Sequence, residues 1–316
     1  MNTDGVLRIG TRSSELALFQ ARAVEAALTA LGATCEIKTY RTLGDKRLDE
    51  PLTAIGGKGL FTKEIENSLA KGKIEVAVHS LKDMPTDQPD ELIIAAVLER
   101  EDPRDVLVCN RDTLARSLDE LPRGSRVGTS SLRRRAQLLA SRPELEVAEL
   151  RGNVPARLRK VDEGRVHAAI LAAAGLHRLN ARQHISCYLD APDWLPAAGQ
   201  GAIALQVHAS NETAKAFVAS LNHAPTMTAV RAERAFLAAL EGGCQVPIGA
   251  LVMGEKLYGL IADIGGERVV RGEIALDAND PELCGIRLAN QLRSEGATEI
   301  LEGLRRASHL PSPQPE

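Results

Sequence analysis

Short hydrophobic runs alternate with segments of helical periodicity over the first two-thirds of the chain. Arg126-Val127 continues a strand-like run, and Leu132, Ala136 and Leu139 then recur at the spacing of a helix. Strands that alternate with helices are typical of α/β sheets, whose strand-to-helix turns gather at one edge, where ligands usually bind. The pattern therefore predicts an α/β fold with a ligand site beside these turns.

Two segments of the first half are echoed in the same order in the second. Arg8–Ser14 matches Arg126–Ser131, and each predicts a short strand, a hydroxyl-rich turn and a helix that a serine can cap. Gly72–Val78 matches Gly164–Ile170 at a similar offset. The echoes predict two related α/β domains. If the two halves face each other, the Ser-rich turns line one cleft.

Two polar or proline-containing segments predict where the chain crosses between these domains. The first is Glu99–Asp105 and the second is Leu195–Gly201. We therefore expect residues 1–100 with 200–218 to form the first domain and residues 101–199 to form the second.

The pattern changes near residue 220 and predicts a smaller α+β domain at 219–310. Its expected elements are a helix at Ala229–Leu240, a hairpin of Leu257–Ala262 with Val269–Ile274, and helices at Pro281–Glu295 and Ala297–Arg306. The proline-rich residues 311–316 are expected to be a disordered tail.

Composition limits the class of protein. The chain has 316 residues, of which 44% are hydrophobic and 26% are charged, as in globular proteins with sizeable cores. The longest apolar run noted, Ala168–Leu176, is too short to cross a bilayer, and the first residues lack the features of a signal peptide. Five widely spaced cysteines fit reduced thiols. We expect a cytoplasmic protein with no membrane partner and no metal site.

Basic charge is concentrated where the second predicted cleft helix begins. Residues 121–160 hold ten Arg or Lys against three Asp or Glu, although the whole chain has a net charge of −3. Exposed cations at a helix start oppose the helix dipole by roughly 0.3–1 kcal/mol each, whereas a bound anion is favoured by the free N–H groups there. Arg133, Arg134 and Arg135 therefore indicate either an anion site or a solvated basic face. The near-neutral total and few aromatic residues argue against general nucleic-acid binding.

Two residues are candidates for chemistry, each with a structural alternative. Cys244 follows Gly242-Gly243, so it is either a buried small hydrophobe or an exposed nucleophile or attachment point. Asp83 follows a predicted strand and lies beside Lys82, so it is either a turn residue or an active-site carboxylate. His79 is interpreted as a structural histidine, because no serine–aspartate partnership is visible around it.

Further basic residues suggest a ligand with several carboxylates. Gly56–Phe61 lacks the P-loop spacing and is interpreted as a glycine-rich loop whose Lys58 reaches an anion. Arg151, Arg157 and Arg178 add three more guanidiniums, which suit bidentate carboxylate recognition.

Eight segments in one order resemble the porphobilinogen deaminase (hydroxymethylbilane synthase) family, from about Leu7 to Arg306. They are Thr11–Ser14, Gly56–Phe61, His79–Pro85, Arg100–Asp105, Gly128–Arg134, Leu150–Val154, Gly199–Ala202 and Glu241–Pro247. The chain departs from the family pattern at Ala54, where some relatives carry a charge, and at Arg135, which extends the usual arginine pair.

The resemblance implies a deaminating transferase of porphyrin and haem biosynthesis. Four porphobilinogen molecules would be joined head to tail into the linear tetrapyrrole hydroxymethylbilane, with loss of ammonia each time. A dipyrromethane cofactor would prime the chain from a thioether on the cysteine matching Cys244. The aspartate matching Asp83 would contact pyrrole N–H groups and stabilise a positive azafulvene-like intermediate.

The resemblance also implies the fold and the binding site. Two related periplasmic-binding-protein-like α/β domains and a smaller α+β C-terminal domain are expected in a monomer. The cofactor and substrate would contact Arg12, Ser14, Ser80, Lys82, Thr129, Ser131, Arg133, Arg134, Arg151, Arg157, Gly175, Arg178 and Gln200. Lys58 and Phe61 would belong to a loop over the site. The alternative function is that of a two-lobed anion-binding protein without catalysis. That function gives Cys244 no role.

Overall fold

The computed structural model describes residues 5–46, 59–241 and 246–308. Cys244, Lys58, Ala54 and the predicted tail at 311–316 lie outside the described residues. None of the described helices combines the length and apolar character required to cross a membrane.

The first sheet is built from the N-terminal part of the chain and one later strand. Its strands are β1 (Val6–Arg12), β2 (Thr34–Tyr40), β3 (Val76–Ser80), β4 (Leu92–Val97) and β10 (Ile203–His208), in the order β2-β1-β3-β10-β4. The helices beside it are α1 (Glu15–Ala30), α2 (Leu43–Lys46), α3 (Lys63–Ala70) and α7 (Glu212–Ala219). Strands β1, β2 and β3 are parallel, and β10 is antiparallel to both of its neighbours.

The second sheet repeats this topology. Its strands are β5 (Asp105–Cys109), β6 (Arg126–Gly128), β7 (Glu146–Ala148), β8 (Ala168–Ala172) and β9 (Cys187–Leu189), in the order β7-β6-β8-β5-β9. Its helices are α4 (Leu132–Ser141), α5 (Val154–Asp162) and α6 (Ala173–Arg178). The sequence echoes fall on β1 and β6 and on β3 and β8, which occupy equivalent places, so the predicted pair of related α/β units is confirmed.

In each sheet the antiparallel strand is the one that the chain enters directly after crossing from the other sheet. Residues 98–104 lead into β5, and residues 190–202 lead into β10. The backbones of the two crossings are hydrogen-bonded to each other: Glu101 N–H donates to the Gly201 carbonyl over 3.2 Å. The crossings thus form a two-stranded connection at the base of the cleft. The exact domain limits stay a prediction.

Helix α1 shows how local sequence fixes one wall of the cleft. Ser14 caps it by accepting from the Ala17 N–H over 3.4 Å, as the hydroxyl-rich turn predicts. Ala17, Ala21, Val24 and Leu28 are buried against the first sheet at helical spacing. Full burial of a valine or leucine contributes about 1.5–3 kcal/mol, so the apolar stripe sets the orientation of this helix.

The third unit combines three helices with an antiparallel sheet. Its elements are α8 (Ala224–Ala239), β11 (Ile248–Met253), β12 (Lys256–Ala262), β13 (Val269–Ala275), α9 (Pro281–Leu292) and α10 (Thr298–Ser308). Helix α8 begins five residues earlier than the periodicity predicts, because His223 caps it and Pro225 suits its first turn. Strand β11 was not predicted. A Cβ at Gly285 would lie 2.4 Å from the Ala232 carbonyl oxygen, so only glycine permits this approach of α9 to α8. The predicted fold class is confirmed.

Candidate active site

Asp83 lies on a short turn at the carboxyl end of the central strand of the first sheet. Strand β3 ends at Ser80, and a single 3-10 turn, Leu81–Asp83, follows it. The carboxylate is 31% exposed, and its Oδ2 lies 3.8 Å from Nη1 of Arg12, which ends β1. The Arg12 guanidinium also lies over the ring of Phe61, 4.4 Å from its centroid. The predicted acid and two predicted binding residues therefore meet at one sheet edge.

The basic start of α4 is organised around a buried carboxylate from the first crossing. Arg133 Nη1 lies 2.7 Å from Asp105 Oδ2, and Arg134 Nη2 lies 2.7 Å from Asp105 Oδ1. Both guanidiniums are about 5% exposed and Asp105 is fully buried. The alternative of a solvated basic face is therefore wrong for these two residues, and their role in anion binding stays a prediction. The Asp105 carboxylate and the loss of hydration, rather than the helix dipole, determine how much these two arginines contribute to the free energy of folding.

Asp105 is the buried centre of this arrangement. Its carboxylate also accepts from the indole N–H of Trp194 over 2.9 Å and from Nε2 of Gln200 over 2.8 Å. Although burial opposes ionisation, the Arg133 and Arg134 guanidiniums hold the pKa of Asp105 far below its usual range. Asp105 ends the polar segment Glu99–Asp105, for which the sequence predicts a crossing between domains and no part in the site. The available signal was an acid directly before the apolar run Val106–Val108, where a buried strand begins.

Gln200 joins this centre to the Asp83 turn. Its Oε1 accepts from Lys82 Nζ over 3.2 Å, while its Nε2 donates to Asp105 and to the Pro103 carbonyl. Burial, reinforced by the nearby Arg134 charge, lowers the pKa of Lys82 to about 8. Burial is the main cause, and the charges around Lys82 have both signs: Arg134 and Arg133 lower its pKa, whereas Asp83 and Asp105 raise it.

Three further arginines line the second domain's side of the site. Arg157, on α5, donates from Nε to the Gly152 carbonyl over 2.8 Å, and burial lowers its pKa to about 10, with Arg134 as the next cause. Arg151 is 9% exposed. Arg178, at the end of α6, donates to the Gly201 carbonyl over 2.7 Å and so also contacts the second crossing.

The predicted hydroxyl residues occupy the two facing turns. Ser14 and Ser131 cap α1 and α4, and Ser131 accepts from the Arg134 N–H over 3.4 Å. Thr129 is buried behind Ser131 and accepts from its N–H over 3.2 Å. Ser80 is bonded to Gln20, a buried residue on α1 that the sequence analysis missed, over 2.9 Å. A glutamine on the otherwise apolar face of α1 was the signal for it.

Gly175 lies where the two α/β units approach each other across the cleft. A Cβ built at this residue would be 3.5 Å from Val154 and 3.7 Å from Leu16, which belongs to α1. Helices α1 and α6, from the two units, are therefore close to each other at this point. His79 is a buried structural residue, as predicted: it is bonded to Gln206 over 3.2 Å, and burial lowers its pKa to about 4.

The extra arginine of the α4 start contacts the third unit. Arg135 Nε donates to the Ile264 carbonyl over 3.3 Å, and a Cβ at Gly266 would lie 2.4 Å from the Ala136 carbonyl oxygen. The β12–β13 turn is thus seated on α4. Arg133 and Arg134 share Asp105, whereas Arg135 links the second and third units.

The donor set fits a ligand with several carboxylates. Arg12, Lys82 and Arg157 are partly buried, and the Arg134 and Asp83 charges act on both Lys82 and Arg157. Asp83 is the accessible acid among them. The described residues include no group of three or more His, Cys, Asp or Glu that could hold a metal ion.

Comparison with known proteins agrees with these observations. Residues 7–216 match the family model "Porphobilinogen deaminase, dipyromethane cofactor binding domain", and residues 227–294 match "Porphobilinogen deaminase, C-terminal domain". The chain is 48% identical over 308 residues to a porphobilinogen deaminase of Moorella thermoacetica, covering 96% of this chain and 97% of that protein.

A second relative, the porphobilinogen deaminase of Syntrophobacter fumaroxidans, is 47% identical over 311 residues, which is 96% of this chain and all of that protein. Among solved structures, the methionine-binding protein MetQ is 13% identical with a TM-score of 0.45, over 75% of this chain and 94% of that one. The two family models and the full-length relatives show that this chain is an enzyme of the porphobilinogen deaminase family.

Proposed function

We propose that this enzyme joins four porphobilinogen molecules head to tail into hydroxymethylbilane, with Asp83 as the catalytic carboxylate. The observation that carries the proposal is the position of Asp83. It is a partly exposed acid on a rigid turn, 3.8 Å from Arg12, in a cleft otherwise lined by cations. Such a site attracts a polyanionic substrate and offers one negative group to the carbon centre that reacts.

The surrounding cations bind and orient the substrate. Each porphobilinogen carries an acetate and a propionate, and Arg12, Lys82 and Arg157 would pair with these carboxylates. This pairing places the pyrrole, which bears no carboxylate charge itself, beside Asp83. Phe61, beneath the Arg12 guanidinium, limits the movement of that side chain.

Asp83 then acts on the charge that develops in the reaction. The carbon–nitrogen bond of the protonated aminomethyl group breaks, ammonia leaves with the bonding electron pair, and the positive charge passes to the pyrrole. A carboxylate that accepts from the pyrrole N–H stabilises this cation more than the neutral starting ring. When the new carbon–carbon bond forms, the attacked ring loses one proton, and Asp83 is placed to accept it.

We infer that dipyrromethane is attached by a thioether at Cys244, which lies outside the described residues. The chemistry of the donor set fits it, since it carries the same acetate and propionate groups as the substrate. Arg133, Arg134, Arg151 and Arg178 would hold these groups, with Ser14, Ser80, Thr129, Ser131, Gly175 and Gln200 as polar or small neighbours. When bound, the cofactor would supply the free pyrrole end that starts the chain.

Replacement of the carboxylate tests the proposal. Asp83→Asn preserves size and removes the negative charge, so turnover of porphobilinogen should fall by roughly 10²–10³ or more. Asp90→Asn is the control, because Asp90 is an exposed acid outside the cleft. Intact mass should show that the Asp83→Asn protein still carries its primer, and circular dichroism should show its fold. Turnover close to that of the control variant would refute the role of Asp83.

Two expectations remain: the resemblance implies a monomer, and the unpaired cysteines and the first residues favour the cytoplasm. We infer that the enzyme acts as a monomer in the cytoplasm. Light scattering coupled to gel filtration at working concentration tests the first, and fractionation of the source cells tests the second.

A further inference from the structure

A side chain of the third unit contacts the chain directly after Asp83. Arg234, on α8, donates from Nη2 to the Pro85 carbonyl over 2.7 Å and from Nη1 to the Met84 carbonyl over 3.3 Å. These carbonyls are one and two residues past the catalytic turn. Helix α8 also leads to Glu241, three residues before Cys244.

The Pro85 carbonyl has a second donor, from the first unit. Gln88 Nε2 donates to it over 2.9 Å, and Gln88 Oε1 accepts from Gln206 Nε2 over 2.7 Å. Gln206 lies on β10, is fully buried and is itself bonded to His79 of β3. One carbonyl is thus held between the sheet that carries Asp83 and the helix of the third unit.

The opposite end of the turn is fixed by the second crossing. Leu81 N–H donates to the Ala202 carbonyl over 3.0 Å. Gly199 lies against the Leu81 side chain so closely that a Cβ there would approach it to 2.9 Å. Among the described residues, the ion pair of the Asp83 carboxylate is the long contact of 3.8 Å to Arg12, so these backbone anchors contribute much to its position.

The charge of Arg234 indicates that its contact is more than packing. Burial lowers its pKa, and no carboxylate in the described part of the chain lies within ion-pair distance of its guanidinium. A partly buried cation opposite two neutral carbonyls costs desolvation that an apolar side chain would avoid. Arg231, one turn earlier on α8, instead pairs with Glu282 at the surface.

We propose that Arg234 and Gln88 are positioning residues that hold Asp83 in its productive place through the Pro85 carbonyl. The inference rests on the proposed catalytic role of Asp83. It means that the third unit, whose helix α8 precedes the cofactor cysteine, also supports the catalytic turn. A small displacement of a catalytic group lowers the rate without removing the group itself.

Steady-state kinetics of loaded holoenzyme tests this role. In Arg234→Met, kcat should fall about tenfold while KM changes less than about twofold, because the substrate-binding cations are untouched. Arg234→Lys should recover part of the loss, since an ammonium can reach one carbonyl. Arg231→Met is the matched control: it removes the same charge from the same helix and should leave kcat unchanged.

Gln88→Met removes the donor that the first unit supplies to the Pro85 carbonyl, so it tests the same role without a change in the third unit. It should also lower kcat, and the double variant should lose less than the product of the two single effects, because both residues hold one acceptor. Intact mass must show full primer loading in each variant. If loaded Arg234→Met and Gln88→Met turn over like Arg231→Met, even with lowered unfolding midpoints, the two residues are structural and the inference is wrong.

Asp83→Asn in the same series separates the two proposals. An inactive Asp83→Asn beside a fully active Arg234→Met overturns the positioning role alone. An active Asp83→Asn overturns the catalytic assignment on which it rests.

Discussion

Arg134 donates twice to one carboxylate oxygen of Asp105, from Nη2 over 2.7 Å and from Nε over 3.1 Å. Arg133 occupies the other oxygen over 2.7 Å. The acid begins β5 and the arginines begin α4, so the pair joins the first crossing to the basic helix start. The cations that were expected to face a ligand therefore have a structural partner as well, and the cleft depends on the crossing for its shape.

Arg133→Leu should destabilise the fold. The helix-dipole argument alone predicts that stability holds or rises when a cation leaves a helix start. The buried ion pair predicts the opposite change. Without Arg133 the buried Asp105 carboxylate has less positive charge beside it, which lowers the free energy of unfolding by about 3 kcal/mol. Urea unfolding monitored by circular dichroism measures the change. Arg123→Leu, at an exposed position, is the control and should change the free energy of unfolding by less than about 0.5 kcal/mol.

The binding role of Arg133 should be visible separately from its stability effect. Arg133→Lys should restore only part of either, since an ammonium is more strongly hydrated than a guanidinium and costs more to bury beside Asp105 and the Leu195 carbonyl, which both accept from Arg133 Nη1. Primer loading by intact mass, below the unfolding transition, reports binding. Full loading and normal turnover in a folded Arg133→Leu protein would show that the residue is structural only.

Cys244 should carry the covalent primer. Intact mass of the purified enzyme should exceed the sequence mass by two linked pyrrole units, and peptide mapping should place the adduct on Cys244. Cys244→Ala should leave an unmodified protein of low activity. An active enzyme without the adduct, or an adduct on Cys35, Cys109, Cys187 or Cys284, would contradict the assignment.

Substrate capture should weaken as pH rises through about 8. The pKa of Lys82 is lowered to about 8, so its ammonium, which attracts carboxylates, is lost above that pH in the free enzyme. The kcat/KM profile reports the free enzyme and should show this basic limb. Bound carboxylates favour the charged form, so the limb in kcat should lie at higher pH. Lys82→Arg stays charged and should lose the limb; a limb that persists belongs to another group.

Gly175→Ala should separate helix stability from ligand binding. Gly175 lies in α6, and a methyl group fits at 3.5 Å from Val154, so the free energy of unfolding should rise by about 0.5–1 kcal/mol. If the residue contacts substrate, KM should nevertheless rise. Gly303→Ala is the matched control, since Gly303 lies in α10 with open space around it. It should stabilise the protein and leave KM unchanged. Unaltered KM in Gly175→Ala would remove Gly175 from the binding surface.

Local sequence determined much of the framework. Ser14 and Ser131 cap the helices where the hydroxyl-rich turns predict them, and the apolar stripe of α1 is buried as its period requires. The repeated segments predict equivalent strands, and β3 and β8 occupy equivalent central places. These features depend on hydrogen bonds and burial within a few turns of chain, so a single segment contains the information.

Tertiary structure alone decided which charged groups meet. Asp105 and Arg133 are 28 residues apart, and Arg234 and Pro85 are 149 apart. The first contact follows from the place of β5 in the second sheet and the second from the packing of the third unit against the first, and no local pattern encodes either. A guanidinium has the same sequence signature whether it faces solvent, a ligand or a buried acid. Its energy is set by desolvation and by neighbours that only the folded chain supplies.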